Sequence, residues 1–184
     1  MLLKDIASIE FSLPVADSGN AVYGKWLNGS CLLQANIIET IEATNSFKEK
    51  TIIKASRNDL LLKRVSPIYV NVYESEEDVY LGGNIIRIRP NNGVNPYFVA
   101  MIIENCLPEI NNSSNKGTAL HAINRQVLEN IQLPDIDKES QFKYGEIYRL
   151  SNNKEQLIKQ LLEKEQLKSK TLKNKVMSKI GGVL

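Results

Sequence analysis

Few residues in this 184-residue chain have types and spacings that could do covalent chemistry. The strongest candidate is Asn95-Pro96-Tyr97-Phe98. Enzymes that methylate adenine use an Asn-Pro-Pro-aromatic loop, whose polar groups hold the target amine while the ring stacks on the flipped base. The second proline is missing here, and no glycine-rich strand-to-helix turn precedes it to bind a methyl donor. Gly82-Gly83 leads into a strand instead. The same residues fit a helix start, with Asn95 as cap and Pro96 at the first helical position. A nuclease reading fares no better. Asp135 and Asp137 stand too close in sequence to come from separated strands, and Glu74, Glu76, Glu77 and Asp78 read as a solvated acidic loop. His121 has no evident Ser or Cys partner. Cys31 and Cys106 lie in apolar neighbourhoods and read as buried free thiols; with one histidine they cannot complete a four-ligand zinc site. The sequence offers no catalytic residue, no metal site and no cofactor loop, and reads as a non-enzyme.

Side chains suited to binding are better represented. Lys63-Arg64 closes an apolar run and delivers two cations to a loop. Ser113-Ser114-Asn115-Lys116-Gly117-Thr118 gathers small hydroxyl and amide donors around one lysine and one glycine, a composition that lets backbone N–H groups approach a phosphate. Arg57 and Lys25 add cations in or beside turns. For reading base edges, Arg and Asn/Gln are the residues that pair bidentately with guanine and adenine. Lys25, Asn20 and Asn92 are the loop candidates for that task.

These residues must be held by the elements around them. Short β-branched and aromatic runs separated by turn-formers fill residues 22–89: Thr51-Ile52-Ile53, Leu60-Leu61-Leu62, Ile68 to Tyr73 and Ile85 to Arg89 read as strands. In the last, Ile86 and Ile88 alternate with Arg87 and Arg89, so one face is apolar and the other basic. A helix is expected over Tyr97–Asn105, a polar loop over Asn111–Thr118, a helical turn at Val127-Leu128 and a short strand at Ile131–Pro134. From Glu139 to Lys179 there is no proline and one glycine, Gly145. A helix of that length is ~60 Å long, about twice the width of a domain this size. Its apolar residues, Ile147, Leu150, Leu157, Leu161, Leu172, Val176 and Ile180, form a thin stripe broken by Lys164 and Lys168. Such a stripe needs a partner stripe, most simply another such helix. The expected fold class is α+β: one α/β domain with a mixed or antiparallel sheet, then a long C-terminal coiled-coil helix.

Bulk composition fits that division. The formal net charge is only +2, but it is unevenly spread. Residues 1–138 carry 13 Lys/Arg against 16 Asp/Glu, and residues 139–184 carry 10 against 5. The basic excess therefore lies on the helix. Met1-Leu2-Leu3-Lys4-Asp5 has no apolar stretch suited to a secretory signal. The longest apolar run, Tyr97–Ile103, is far short of the ~20 residues that span a bilayer. The expectation is a cytoplasmic chain with no membrane partner.

The order of these pieces resembles the specificity subunits of type I restriction–modification systems. It runs from Leu3-Lys4-Asp5-Ile6-Ala7 through Asn58-Asp59-Leu60-Leu61-Leu62-Lys63-Arg64 to Asn95-Pro96-Tyr97-Phe98-Val99. Lys116-Gly117-Thr118, Ile123, Leu128-Glu129-Asn130-Ile131-Gln132-Leu133-Pro134 and Gln141 with its long helix follow. Two local departures are Asn58, where the family usually has Gly, and Gly145 inside the helix. The larger one is length, because family members usually carry two target recognition domains and two helical arms and this chain has one of each.

The resemblance implies a target recognition domain over 1–136, a helical arm for dimerisation and partner docking over 137–180, and a tail over 181–184. It implies double-stranded DNA as ligand, with Arg57, Lys63, Arg64 and Lys116 on phosphates and Ser114, Asn115 and Thr118 adding shorter contacts. Ile147, Leu150, Leu157, Leu161, Leu172 and Val176 would pair with a second copy, or with another specificity chain. Methyltransferase subunits and motor-nuclease subunits would complete the assembly. A rival expectation is an interaction module or decoy that occupies those partners and binds DNA poorly.

Overall fold

The computed structural model describes residues 1–13, 20–47, 52–113 and 123–181. Its centre is a four-stranded antiparallel sheet made of β1 (Ala7–Phe11), β5 (Leu60–Lys63), β6 (Val70–Val72) and β8 (Ile85–Pro90), in the order β1-β8-β5-β6. The consecutive leucines of β5 explain its place. Successive strand side chains point to opposite faces, and Leu60, Leu61 and Leu62 are all fully buried. Leu60 and Leu62 join Ile86, Ile88, Val70 and Val72 in a core shared with the helices, whereas Leu61 and Ile85 join a second core on the opposite face. This sheet is therefore a middle layer, and its unbroken apolar runs are what burial on both faces demands. Arg87 and Arg89, expected to form an exposed basic face, are instead tied down. Arg87 pairs with Glu10 on the neighbouring strand and donates to the Lys54 carbonyl. Arg89 grips the buried Asp59 in a two-pronged pair, 2.6 and 2.7 Å.

The outer layer is a second, mixed sheet of β2 (Asn20–Leu27), β3 (Ile41–Phe47), β4 (Ile53–Ala55) and β7 (Val79–Leu81), in the order β3-β2-β7-β4. Strand β2 pairs parallel to β7 only at Trp26 and Leu27, so most of β2 and β3 stands out as a two-stranded ribbon. Its register puts Trp26 opposite Ile41 and Phe47 opposite Asn20. Six residues of extended strand would separate those two pairs by ~20 Å. Yet the Trp26 and Phe47 rings stack at 4.7 Å and 6°. The ribbon must curl, and Gly24 sits at the bend: a Cβ there would lie 3.1 Å from the Tyr80 ring, which stacks on Trp26.

On the other face of the central sheet lie α1 (Leu3–Ile6), α2 (Pro96–Ser113), α3 (Arg125–Glu129) and the start of α4 (Lys138–Gly181). Asn95 caps α2 as expected, its side-chain oxygen accepting from the N–H groups of Tyr97 (2.9 Å) and Phe98 (3.1 Å). The helix runs past Asn105 and through Pro108, so Asn111–Ser113, expected as loop, are helical. The local cost of an interior proline is outweighed by packing, since Leu107 is buried against the core. Residues 131–133 are not a strand of their own. They pair with the N-terminus, through Leu3 N–H to the Ile131 carbonyl (2.9 Å) and Leu133 N–H to the Met1 carbonyl (2.8 Å).

Both departures noted in the sequence have local explanations. Asn58 has φ +71° in the turn between β4 and β5, a left-handed conformation that glycine adopts freely and asparagine tolerates. Gly145 faces the α2 cap: a Cβ there would fall 2.3 Å from the Asn95 side-chain oxygen. Glycine inside α4 is what lets the long helix lie against the start of α2.

Candidate nucleic-acid interface and arm

The expected cations separate into two groups. Lys25 and Arg57 are held by the acidic loop after β6. Lys25 pairs with Glu77 and Arg57 with Glu76, all on exposed side chains. The hydrogen bond and charge of Lys25 hold the Glu77 carboxyl below its usual range and raise the lysine correspondingly. The other two acids of that loop are also engaged: Glu74 accepts from the Tyr97 hydroxyl, and Asp78 from Ser56 (2.6 Å). This loop is thus a set of bonded acids rather than a merely solvated one. Burial, followed by the Glu74 hydrogen bond, holds the Tyr97 hydroxyl well above the ordinary tyrosine range.

Lys63 and Arg64 lie at one end of the central sheet and rest on aromatic rings instead of carboxylates. The Lys63 ammonium is 5.5 Å from the Tyr69 ring centre. The Arg64 guanidinium is 5.6 Å from the Phe11 ring, and Arg125 approaches the same ring at 5.1 Å. Arg125 also donates to the Ile9 carbonyl at 2.7 Å, which fixes it beside β1, and has Glu129 at 3.6 Å. Two guanidinium groups gathered at one phenyl ring repel each other, and an anion bound between them would relieve that repulsion. The Arg64 Nε is buried without a hydrogen-bond partner among the described residues. Ser114, Asn115, Lys116 and Thr118 lie outside the described residues. The chain re-enters beside this cluster, because the Ile123 N–H donates to the Arg64 carbonyl at 3.2 Å.

Arg125 and Phe11 were not singled out from sequence. Arg125 reads locally as an ordinary helix residue, capped by Asn124 and spaced i,i+4 from Glu129. The backbone bond between residues 64 and 123 and the bond from Arg125 to the Ile9 carbonyl bring it to Arg64 at the Phe11 ring. Of the base-reading candidates, Asn20 starts β2 at the tip of the curled ribbon, and Asn92 lies in the turn after β8. The ribbon also exposes Tyr23, whose hydroxyl donates to Glu42 at 2.8 Å.

The long helix α4 has two faces. Asp137 caps it, accepting from the Ser140 N–H (2.8 Å) and hydroxyl (2.7 Å), and these bonds hold its carboxyl below the usual range. Gly145, Tyr148, Arg149, Asn152 and Gln156 form the less exposed side over the first turns. Tyr148 donates to Glu104 of α2 at 2.7 Å, and Gln34 reaches Glu155 at 2.9 Å. At ~100° per residue, Ile147, Leu150, Ile158, Leu161, Leu172 and Val176 lie on the opposite side. Ile147 and Leu150 are 56% and 57% exposed even where the helix is docked, so the domain does not cover the stripe. Residues 157–178 are exposed throughout, which makes ~33 Å of projecting helix.

No protein-family model matches the sequence, and no curated protein matches it significantly. Solved structures do. The chain superposes on the HsdS subunit of Thermoanaerobacter tengcongensis with a TM-score of 0.62 at 15% identity, over 88% of this chain and 39% of that one. It superposes on the S subunit of the type I restriction–modification system of M. genitalium with a TM-score of 0.59 at 15% identity, over 89% and 41%. A chain from a structural study of type I system assembly and conformational transition gives 0.64 at 15% identity, over 93% and 42%. The fold is therefore that of type I specificity subunits, and the chain spans about two-fifths of the length of each neighbour.

Proposed function

We propose that this chain is a DNA-reading specificity component of a type I restriction–modification system, acting as a half-subunit. Two copies join through α4, each recognition domain takes one half of an interrupted inverted repeat, and the pair directs adenine methylation, and cleavage, by partner subunits. The chain supplies the address and no chemistry of its own. One observation carries this reading: the fold matches a single stretch of the specificity subunits while its helix presents an apolar stripe that its own domain leaves bare. A two-fold pair of such chains would present the same surface twice and so read a palindrome.

Within each domain, the cations free of strong carboxylate partners are the ones suited to phosphate. Arg64 and Arg125 flank Phe11, and Lys63, the preceding residue, lies over the Tyr69 ring. Lys116, Ser114, Asn115 and Thr118 complete the set from the loop before Ile123. Lys25 and Arg57 must first leave Glu77 and Glu76, exposed pairs that hold them only weakly. Base discrimination then falls to loop and ribbon side chains.

Selection of duplexes from a random library tests this directly, using the chain together with its cognate methyltransferase subunit. Enrichment of an interrupted inverted repeat supports the reading. A complex that forms but enriches no sequence overturns it and favours the decoy.

A further inference from the structure

The major groove of DNA admits an α-helix or a two-stranded β-ribbon. Among the described residues, the helices of the recognition domain are not free to enter it. Helix α2 packs on the central sheet and against α4, and α1 and α3 are short, with Leu3, Ile6 and Leu128 buried. The β2–β3 ribbon does stand free, since β2 pairs with β7 only at Trp26 and Leu27. Its two faces differ. Trp26 and Phe47 lie on one face and stack on each other, so this face is the inside of the curl, closed by Gly24 against the Tyr80 ring. The outer face carries the cross-strand pairs Ala21 with Ser46, Tyr23 with Thr44, and Lys25 with Glu42. Tyr23, Thr44 and Glu42 are exposed, and Tyr23 with Thr44, the middle pair, forms the crest of this convex face. Successive pairs are ~7 Å apart along the strands, about two base-pair steps.

This face suits base edges better than phosphates. Its cation, Lys25, is drawn to Glu77. What remains is a carboxylate, two small hydroxyls, a methyl group and a phenol. Phosphates repel a carboxylate that enters the groove, so it needs a donor there. The cytosine amino group is such a donor with no acceptor of its own base at its side, whereas the adenine amino group stands beside the N7 acceptor. Thr, Ser and Ala are compatible with the remaining bases, including the thymine methyl. The Tyr23 hydroxyl donates to one oxygen of Glu42 at 2.8 Å, which holds the carboxylate beside the crest.

We propose that the outer face of the β2–β3 ribbon enters the major groove of the half-site, with Glu42 selecting a cytosine and Tyr23 and Thr44 reading the neighbouring bases. The inference rests on the DNA-reading role proposed above and names the side chains that carry its specificity. Phosphate binding by Arg64 and Arg125 and base reading by the ribbon are then separate tasks on separate elements.

Duplex selection in the presence of the cognate methyltransferase subunit, run on the parent chain and on ribbon variants, tests this. All substitutions are at exposed positions, and circular dichroism checks that each variant keeps the parent fold. Glu42→Gln replaces an acceptor by an amide that pairs bidentately with adenine. It should move one position of each half-site from cytosine to adenine, with a change of about tenfold or more in relative affinity. Tyr23→Ala with Thr44→Ala should relax the preference at the adjoining positions by a similar factor. Neither variant should lower the salt slope by the ~0.9 that marks a lost phosphate contact. A Glu42→Gln chain that still selects the parent motif overturns the inference. So does one that binds every duplex uniformly more weakly. In both cases the motif selected by the parent chain leaves the proposed function standing. A parent chain that enriches no sequence removes the function and the inference together.

Discussion

Gly145 offers a quantitative check on how the arm is seated. Alanine is ordinarily favoured over glycine inside a helix by ~1 kcal/mol, so Gly145→Ala in an unobstructed helix should stabilise. Here the added methyl would fall 2.3 Å from the Asn95 side-chain oxygen and within 2.9 Å of the amide nitrogen. Asn95 must then leave its capping position, losing the bonds to Tyr97 and Phe98 at a cost of ~1 kcal/mol, or α4 must move away from α2. Overpacking of this kind costs ~1–3 kcal/mol. The net expectation is destabilisation by ~1–3 kcal/mol, a few degrees in Tm for a chain of this size. The informative step is the double variant. The atoms nearest the new methyl all belong to the Asn95 side chain. In an Asn95→Ala background, already weakened by ~1 kcal/mol, Gly145→Ala should therefore switch sign and stabilise. Urea unfolding followed by Trp26 fluorescence at fixed protein concentration measures all four corners of the cycle. Additive effects would refute the close approach of α2 and α4, because independent sites add.

Other expectations follow from the same geometry. Lys63→Ala with Arg64→Ala should weaken DNA binding and flatten its salt dependence by ~0.9 for each phosphate no longer neutralised, read from affinity titrations at several salt concentrations. Arg125→Ala should do likewise, whereas Lys25→Ala and Arg57→Ala should change the slope less, since both side chains already have carboxylate partners. At Asn58, φ +71° makes glycine harmless and alanine costly by ~1 kcal/mol, measurable by thermal unfolding. Asp137, with its carboxyl held low by Ser140, stabilises the start of α4 above about pH 4. That contribution disappears as pH falls through the lowered value. Asp137→Ala should remove this part of the acid dependence of helicity at 222 nm.

Much of the frame was legible in the sequence because it follows from local rules. Asn95-Pro96 announced α2, the proline-free run from Glu139 announced α4, and the triple leucine of β5 marked a strand. What sequence could not supply were relations between distant segments. Arg87 and Arg89 alternate as an exposed basic face should, yet Glu10 arrives from β1 and Asp59 from the turn before β5 to pair with them. Two sheets were present where one was expected, because short strands reveal their existence but not their partners. Arg125 meets Arg64 across sixty residues at the Phe11 ring, held there by bonds from Ile123 to Arg64 and from Arg125 to Ile9, and no local pattern forecasts it. Asn58 and Gly145 looked like departures from a family pattern; φ at one and a close approach at the other explain both.

The central claim, that this chain supplies the address for a modification system, is tested most directly by mapping adenine methylation. Genomes of cells expressing the chain with its cognate methyltransferase subunit would be compared with cells expressing the methyltransferase alone. The account predicts a new methylated motif made of two inverted half-sites around a fixed spacer. Two proteins that co-purify yet leave no new motif would contradict it, and would leave the arm as a docking device without a reading domain.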